Sequence, residues 1–436
     1  MRRMARWLPN AIQHLATALA CLLLFTGWGA VTIALAEAVP FEGSLPTEAD
    51  RCPFSGRFPV QIEVATPFEL SALDAGEIDI DQFDGARVTA YVDDATFADL
   101  ESAGYAIQAI PNQARRAFLQ FKADVDAGLR TPGREDYHTY ESLTAELQQI
   151  ASDYPDIAML TSIGQSEEGR ELWMLKLSDN VTEDEPEPAV KYTATIHGDE
   201  PVGTELCVYL IRLLVENYGI DPDLTALVDD LEIWICPLHN PDGNAAGTRY
   251  NASGYDLNRN FPDPLEDPND DPEGRPTEVQ HMMIWQYDYN FTIGVNYHGG
   301  ALVVNYPWDC FYGQYTPDHD QIHNLALGYS YRNPPMWNSG QFYQGVTIGW
   351  EWYVIHGGFQ DWGYNWRNEL HFCIELSNVK WPPAYQLPGF WDENRDAMLW
   401  LLAQARNGIE GVITDAATGN PVPATIDVAE IGKAIY

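Results

Sequence analysis

The sequence predicts an α/β domain with a buried sheet, preceded by a small α+β domain and followed by a short β segment. Strand-like and helix-like stretches alternate from about 134 to 406, which is typical of an α/β domain. Residues 39–130 are mostly strand-like and lack that alternation. Residues 407–436 contain two strand-like stretches around a Gly-Asn-Pro turn.

The N-terminus has the pattern of an export signal over residues 1–38. Three arginines among the first six residues precede an apolar run at 16–35, and Ala-x-Ala sites follow at Ala36 and Ala38. Cleavage there would give a secreted protein, extracellular or periplasmic, with no membrane span left after signal removal. An uncleaved membrane anchor is the alternative.

The composition is strongly acidic, with 64 Asp and Glu against 24 Lys and Arg and a formal net charge of −40. This argues against a nucleic-acid partner, because phosphate binding needs clustered basic residues. The acidity would attract cationic substrates, or it only keeps the protein soluble. We expect a soluble monomer. Loss of Cys21 with the signal leaves five cysteines and no CxxC motif, so at most two disulfides form. A thiol nucleophile or a cysteine-rich zinc site is therefore not expected.

The domain at 39–130 is predicted to be a propeptide-like or accessory unit. Its expected elements are strands at 59–65, 86–92 and 106–111 and a helix at 95–105. It shows no candidate catalytic cluster, and the Pro-Gly stretch at 131–136 is a plausible linker.

The domain at 134–406 alternates helices and strands. Helices are expected at 141–155 and 204–219, and strands at 158–164, 171–179, 191–196 and from 231 onward. In such folds, sites gather at the carboxyl ends of strands.

A histidine and a glutamate follow the strand at 191–196, in the stretch IHGDEPVGTE. An imidazole and a carboxylate three residues apart, such as His197 and Glu200, can bind one cation. Catalytic zinc takes three protein ligands, and His₂Glu is a known set. His298, at the end of the strand-like FTIGVNYH and before two glycines, could supply the third ligand. Taken alone, the first pair also fits a surface turn, and His298 fits an edge histidine.

The surrounding motifs carry a more specific signal. GYDLNRNFP at 254–262 resembles the signature of the zinc carboxypeptidases of the carboxypeptidase A type. The resemblance runs from about 137 to 406 and includes IHGDEPVGTE, NPDGN, YVIHGGFQD and IELSNVK. The form HGGALVVNYPWD is closest to the carboxypeptidase D, E and N group. In that group a transthyretin-like β-sandwich follows the catalytic domain, and residues 407–436 resemble its opening strands, possibly truncated.

The resemblance implies a mixed, mostly parallel twisted sheet with helices on both faces, and one catalytic Zn²⁺. Its implied ligands are His197, Glu200 and His298. Asp256 would orient the first of these histidines. Glu375 would be the general base and acid, and Arg249 would polarise the scissile carbonyl.

The resemblance also implies how the substrate, a peptide or protein C-terminus, is bound. Asn258 and Arg259 would grip the terminal carboxylate, and Tyr353 would close over the bound residue. Asp309 and Gln360 would shape the side-chain pocket. Because Asp309 stands where related enzymes carry an acid, we expect preference for terminal Arg or Lys.

Two other functions and a second metal stay open at this stage. The same fold could serve a cell-wall peptide amidase or an inactive binding module, although the zinc ligands and Glu375 are all present. The acidic loop at 262–276 could bind Ca²⁺ through oxygen ligands or could simply be solvated. Its candidate ligands are Asp263, Asp267, Asp270 and Asp271.

Overall fold

A four-stranded antiparallel sheet forms the core of a small N-terminal domain. The computed structural model describes residues 46–75, 78–183, 185–408, 411–429 and 433–435. The strands of the domain are β1 (Phe58–Glu63), β2 (Asp79–Phe83), β3 (Arg87–Val92) and β4 (Ile107–Ala109). Its helices are α1 (Pro67–Ala75), α2 (Asp94–Ser102) and α3 (Gln113–Asp126). The strand order is β2-β3-β1-β4. The predicted export signal lies outside the described residues and stays a prediction.

The edge strand β2 contains a bulge at Asp81. Ile80 pairs with Ala90 and Gln82 pairs with Thr89, so Asp81 has no partner in the β3 register. A bulge of this kind bends the strand and re-aims a side chain. Neither β2 nor helices α1 and α3 were expected from the sequence, whereas β1, β3, β4 and α2 lie where elements were predicted.

The larger domain is built on an eight-stranded sheet. Its strands are β5 (Ala158–Gln165), β6 (Glu171–Leu177), β7 (Ala189–Ala194), β8 (Glu232–Cys236), β9 (Phe291–His298), β10 (Leu302–Tyr306), β11 (Val346–Ile348) and β12 (Leu370–Leu376). The strand order is β11-β10-β12-β9-β7-β8-β6-β5. Four of these seven neighbouring pairs are parallel, in agreement with the predicted mixed, mostly parallel sheet.

Helices cover both faces of this sheet, as the resemblance implied. They are α4 (Tyr140–Asp153), α5 (Val202–Asn217), α6 (Pro222–Asp229), α7 (Pro241–Ala246), α8 (Thr277–Gln286), α9 (His319–Tyr331), α10 (Pro334–Trp337), α11 (Gly349–Trp352), α12 (Phe359–Arg367) and α13 (Leu387–Gln404). Alternate residues of β7 enter two separate cores: Val190 and Tyr192 pack with α4, α5, α9 and α13, while Ala189 packs with α8 and α12. Burial on both faces explains why the central strands are almost wholly apolar.

The two domains share an aromatic interface. Phe118 and Phe121 of α3 pack against Trp381 and Tyr137 of the larger domain, with ring centroids 5.5 to 6.3 Å apart. Arg115 of α3 also donates to the carbonyl of Ala246 at 2.6 Å. The small domain is therefore held against the larger one by apolar packing and hydrogen bonds.

A buried ion pair ties the start of α4 to α5. The His138 ring lies 2.7 Å from Glu205 and 3.1 Å from Glu146, and Arg212 completes the cluster through Glu146. Burial opposes protonation, but the two carboxylates prevail and raise the pKa of His138 to about 10.

His138→Gln is expected to destabilise the protein near neutral pH by about 3 kcal/mol, because it leaves a buried carboxylate without its cation. A raised histidine pKa stabilises the fold fully below about 6.5, and the contribution fades as pH rises to about 10. Urea unfolding midpoints of both proteins at pH 6, 8 and 10 should therefore converge at alkaline pH. His281→Gln, at a half-buried position on α8, is the control. A difference between the two unfolding midpoints that grew with rising pH would contradict the ion pair.

The five cysteines of the predicted mature chain, all in described residues, are buried and free. These five cysteines form no disulfide with one another, which is within the predicted maximum of two. Burial raises the pKa of Cys52 and of Cys236 to about 12, so these thiols stay protonated.

The C-terminal segment contains little regular structure in its described residues. A single bridge joins Thr414 and Pro421, and β13 (Ile426–Val428) pairs antiparallel with β14 (Lys433–Ile435). The start of a transthyretin-like domain stays a prediction here. Across the part of the chain that is described, no helix combines the length and apolarity that a membrane crossing requires.

Candidate active site

The loop after β7 is held in place by asparagine side chains of the NPDGN motif. Asn240 donates to the carbonyl of Ile196 at 3.1 Å, and Asn244 donates to the carbonyl of Gly198 at 3.0 Å. A Cβ on Gly198 would lie 2.1 Å from the backbone of Gly243, so only glycine fits this contact. The motif thus fixes the turn that presents His197 and Glu200.

Ligand atoms of three buried residues converge beyond this turn. His197 Nδ1 lies 3.1 Å from Glu200 Oε1, His298 Nδ1 lies 3.0 Å from Glu200 Oε2, and the two Nδ1 atoms are 3.2 Å apart. Tetrahedral zinc with bonds of about 2.0–2.1 Å places its ligand atoms roughly 3.3 Å apart. This spacing and the His₂Glu donor set fit the zinc ion implied by the resemblance.

The charge states of His298 and Glu200 also suit a cation. Burial lowers the pKa of His298 to about 4, which leaves a neutral imidazole with a free lone pair. Burial opposes ionisation of Glu200, but His197 and Lys380 hold the pKa of its carboxyl well below the usual value. Burial and Arg249 oppose protonation of His197, but Glu200 and Asp256 prevail and raise its pKa, so this imidazole must lose its proton to bind a metal.

Asp256 links His197 to a buried arginine. Its Oδ1 lies 3.2 Å from His197 Nε2, and its Oδ2 accepts from Arg249 Nε at 2.9 Å. The carboxylate can therefore hold the imidazole with Nδ1 turned toward Glu200. Arg249 is brought to the same place, with Nη1 3.0 Å from His197 Nδ1.

Glu375 faces the same cleft from β12. Its partner in the parallel ladder is His298, at the end of β9. Its Oε2 is buried and has no hydrogen-bond partner among the described residues. Burial, together with the negative charge of Glu200, raises the pKa of Glu375 to about 8.

The residues predicted to bind the terminal carboxylate line this cleft too. Asn258 is fixed by its Oδ1, which accepts from Phe359 N at 2.9 Å. Arg259 donates through Nη1 to the Asn258 carbonyl at 3.0 Å, and Nη2 points into the cleft. Tyr353 reaches the cleft from the loop after α11.

Asp309 and Gln360 form the floor of the cleft. Asp309 is 3% exposed, so it is not a solvated loop residue, and its Oδ1 accepts from Asn305 at 3.1 Å. Gln360 is fixed by its Oε1, which accepts from Cys373 N at 3.1 Å. The structure therefore brings together all eleven residues predicted for the site.

Strand β2 of the small domain runs across the cleft. Asp81 accepts from Arg249 Nη1 at 2.9 Å and from Lys380 Nζ at 2.6 Å. The carbonyl of Ile80 accepts from Arg259 Nη2 at 2.8 Å, and that of Asp81 accepts from the Tyr353 hydroxyl at 2.9 Å. The space left in the cleft is about 30 Å³, enough for only a few waters.

Two flanking contacts hold the strand at its far end. Gln82 donates to the carbonyl of Gly300 at 2.7 Å, and Trp352 Nε1 donates to the carbonyl of Phe83 at 3.0 Å. Three of the donors expected to bind substrate, those of Arg249, Arg259 and Tyr353, are thus occupied by β2.

Sequence reasoning missed three charged residues of the site. Asp81 lies in a domain where no cluster was expected. Lys380, in the quoted motif IELSNVK, lies 3.1 Å from Glu200, and Asp361 contacts the backbone of Asp309. Lys380 and Asp361 lie in IELSNVK and YVIHGGFQD, two motifs quoted for the resemblance. Their presence in these motifs was the signal that could have identified them.

The calcium hypothesis for the acidic loop finds no support. Asp263 accepts from His356 and Gly357, and Asp267 pairs with Arg275. Asp270 accepts from Trp362. Among the described groups that could hold a metal, none includes these residues.

Comparisons with known proteins agree with this geometry. A family model described as zinc carboxypeptidase matches residues 143–397. The chain is 39% identical over 325 residues to carboxypeptidase D of Anas platyrhynchos, covering 69% of this chain and 23% of that protein. It is 38% identical over 305 residues to carboxypeptidase SOL1 of Arabidopsis thaliana, covering 69% and 62%.

A likeness in fold extends to solved structures. Carboxypeptidase A from Helicoverpa armigera superposes with a TM-score of 0.65 at 18% identity, covering 81% of this chain and 98% of that one. The chain spans about a quarter of the length of carboxypeptidase D and less than two thirds of carboxypeptidase SOL1. The family match and the identity over two thirds of the chain lead to one conclusion: this chain belongs to the zinc carboxypeptidase family.

Proposed function

We propose that this chain is a secreted zinc-dependent carboxypeptidase that hydrolyses the last peptide bond of peptides or proteins and prefers terminal Arg or Lys. The observation that carries the proposal is one cleft in which His197, Glu200 and His298 converge beside Glu375 and Arg259. Secretion rests on the export pattern at 1–38.

Zinc held by the two histidines and Glu200 would supply a Lewis acid and a nucleophilic water near neutral pH. Glu375 has an unpartnered oxygen facing the cleft, so it is suited to take a proton from the attacking water and pass it to the leaving amine. Arg249, beside His197, would stabilise negative charge on the former carbonyl oxygen.

Arg259 and Asn258 would restrict cleavage to the last residue. A guanidinium binds both oxygens of a carboxylate at once. An internal peptide has no carboxylate at that point and would leave the half-buried Arg259 without its anion. This favours free C-termini over the cell-wall amidase, for which no described feature argues. The complete donor set and Glu375 likewise disfavour an inactive binding module.

The basic-residue preference rests on Asp309. It is a buried carboxylate at the floor of a cleft in a chain whose overall charge attracts cations. A terminal Arg or Lys side chain would give this carboxylate a counter-charge, whereas a leucine would leave it desolvated with the Asn305 amide but no cation.

We further propose that the domain at 39–130 keeps the enzyme latent, as a propeptide does. Its strand β2 uses the donors of Arg249, Arg259 and Tyr353 that a substrate would need. About 30 Å³ of free space is far below the roughly 300 Å³ at which ligand pockets begin. Asp81 would act as a latch because its carboxylate pairs with two cations of the cleft.

Metal removal tests the catalytic proposal. We expect the full chain carrying Asp81→Lys, designed to open the cleft, to release arginine from an Arg-terminated peptide, with the wild type assayed beside it. Stripping zinc with a chelator should lower the rate by roughly 100-fold or more, and one equivalent of Zn²⁺ but not of Ca²⁺ should restore it. Released amino acid and bound metal are both quantified.

The outcomes separate the two proposals. Activity that survives complete metal removal, or no cleavage by either zinc-loaded protein, would refute the zinc carboxypeptidase. A fully active wild type would refute latency alone.

A further inference from the structure

Two buried carboxylates meet beneath the cleft, and only one of them faces it. Asp361 lies in the first turn of α12 and is 1% exposed. Its oxygens accept from the backbone N–H of Asp309 at 3.0 Å and of Cys310 at 2.9 Å. It therefore holds the backbone of the loop that follows β10, rather than any side chain of the cleft.

The two carboxylates differ in their remaining capacity to accept hydrogen bonds. Both oxygens of Asp361 are committed to backbone donors, while Asp309 Oδ1 accepts from Asn305 and its other oxygen lies near Gly358. A Cβ on Gly349 would overlap Asp309 Oδ1 at 1.7 Å, so backbone walls the Asp309 carboxylate on one side. Asp309 is thus the group with acceptor capacity, and Asp361 sets where it stands.

We propose that Asp361 is a positioning residue for selection of the terminal side chain: it holds Asp309 where a terminal guanidinium or ammonium group can pair with it. This inference rests on the proposed preference for Arg or Lys. Asp361 would touch no substrate atom and would act only through Asp309.

Electrostatics supports the same arrangement. Burial and the charge of Asp361 raise the pKa of Asp309 well above its usual value, and burial raises that of Asp361 to about 6. These shifts favour the protonated form of Asp309, and an entering cation reverses them because it stabilises the ionised carboxylates of both residues. A neutral side chain gains nothing from either.

The test compares peptides that differ only in a terminal Arg or Leu, with the wild type or Asp81→Lys background, whichever is the more active. Asp361→Asn replaces one acceptor oxygen by an amide that cannot accept from the backbone N–H groups. We expect KM for the Arg peptide to rise about 10- to 100-fold with kcat changed less than about threefold. The Leu peptide should keep its kcat/KM within about threefold.

A double-mutant cycle separates positioning from a general structural effect. Asp309→Asn should lose the Arg preference by itself, and adding Asp361→Asn should then change the Arg-to-Leu ratio no further. Asp318→Asn is the matched control, because this buried carboxylate accepts from Tyr364 of α12, the helix that also carries Asp361. It should leave the ratio unchanged. If Asp361→Asn fails to fold, Asp361→Glu keeps the charge, and a partial loss of preference is expected.

Equal losses on both peptides, an unchanged Arg-to-Leu ratio, or additive effects in the cycle would overturn the inference while leaving the basic-residue preference intact. A wild-type enzyme with no preference for Arg over Leu would instead refute the proposed specificity, and the inference with it.

Discussion

Glu375→Gln is expected to lower kcat by about 10²- to 10⁴-fold, the range typical of a lost general base and acid. Glutamine preserves the shape of the side chain but cannot accept the proton from water or return it to the leaving amine. KM should change little, because the predicted carboxylate-binding groups, Asn258 and Arg259, stay in place. Steady-state kinetics on an Arg-terminated peptide, in the Asp81→Lys background, measures both constants.

Zinc content is the control for the Glu375 variant. Glu375 is not one of the three predicted ligands, although one of its carboxylate oxygens lies within 4.8 Å of a ring nitrogen of His298, so the variant should retain one equivalent of zinc. A variant that kept more than a tenth of the parent kcat would contradict the assigned role. A variant that lost zinc together with activity would show instead that Glu375 supports the metal site.

Asp81→Lys is expected to raise kcat/KM of the full chain by about 10- to 100-fold. Each charge-assisted hydrogen bond to Arg249 or Lys380 contributes about 1.5–3 kcal/mol. A lysine at this position also faces both cations and is repelled by them. Asp81→Asn removes the charge without adding repulsion, so its rate should fall between those of the wild type and the lysine variant.

The matched control for the Asp81 variants is Asp99→Lys. Asp99 is exposed on α2 of the same domain and lies outside the cleft, so the same charge change there should leave the rate unchanged. Equal rates for the wild type and both Asp81 variants would mean that β2 does not block substrate. Activation by Asp99→Lys as well would point to a general effect of net charge.

The convergence of the three predicted metal ligands could be anticipated from local signals together with the motifs of the resemblance. His197 and Glu200 follow one buried strand and His298 ends another, and parallel strands deliver their carboxyl ends to the same edge of the sheet. Glu375 was conspicuous as a carboxylate in an apolar strand. The resemblance then supplied the expected role of Arg249 in polarising the scissile carbonyl, which no periodic pattern could reveal.

Occupation of the cleft was not predictable, because it depends on contacts between residues far apart in the chain. The stretch IDIDQF is short and rich in aspartate, a poor strand former, so it gave no strand signal. Its strand conformation is sustained by β3 on one side and by Arg259 and Tyr353 on the other. A periodic pattern cannot report partners more than 170 residues away.

Asp361 was missed for a different reason. Its motif was recognised, but the side chain binds backbone N–H groups of the 309–310 loop, and backbone partners leave no trace in a sequence. Asp309, eleven residues past His298, was found only because the resemblance marked its position.

The bulged edge of the small domain would matter again after separation from the larger one. Once β2 leaves the cleft, the carbonyl groups of Ile80 and Asp81 lose their donors Arg259 and Tyr353. The strand then becomes a solvent-exposed edge strand. Exposed edge strands pair with strands of other molecules unless charged side chains or a bulge prevent the pairing. Asp79, Asp81 and the displaced register at Ile80 and Gln82 supply both, so the features that seal the catalytic groups would also keep the freed domain from self-association.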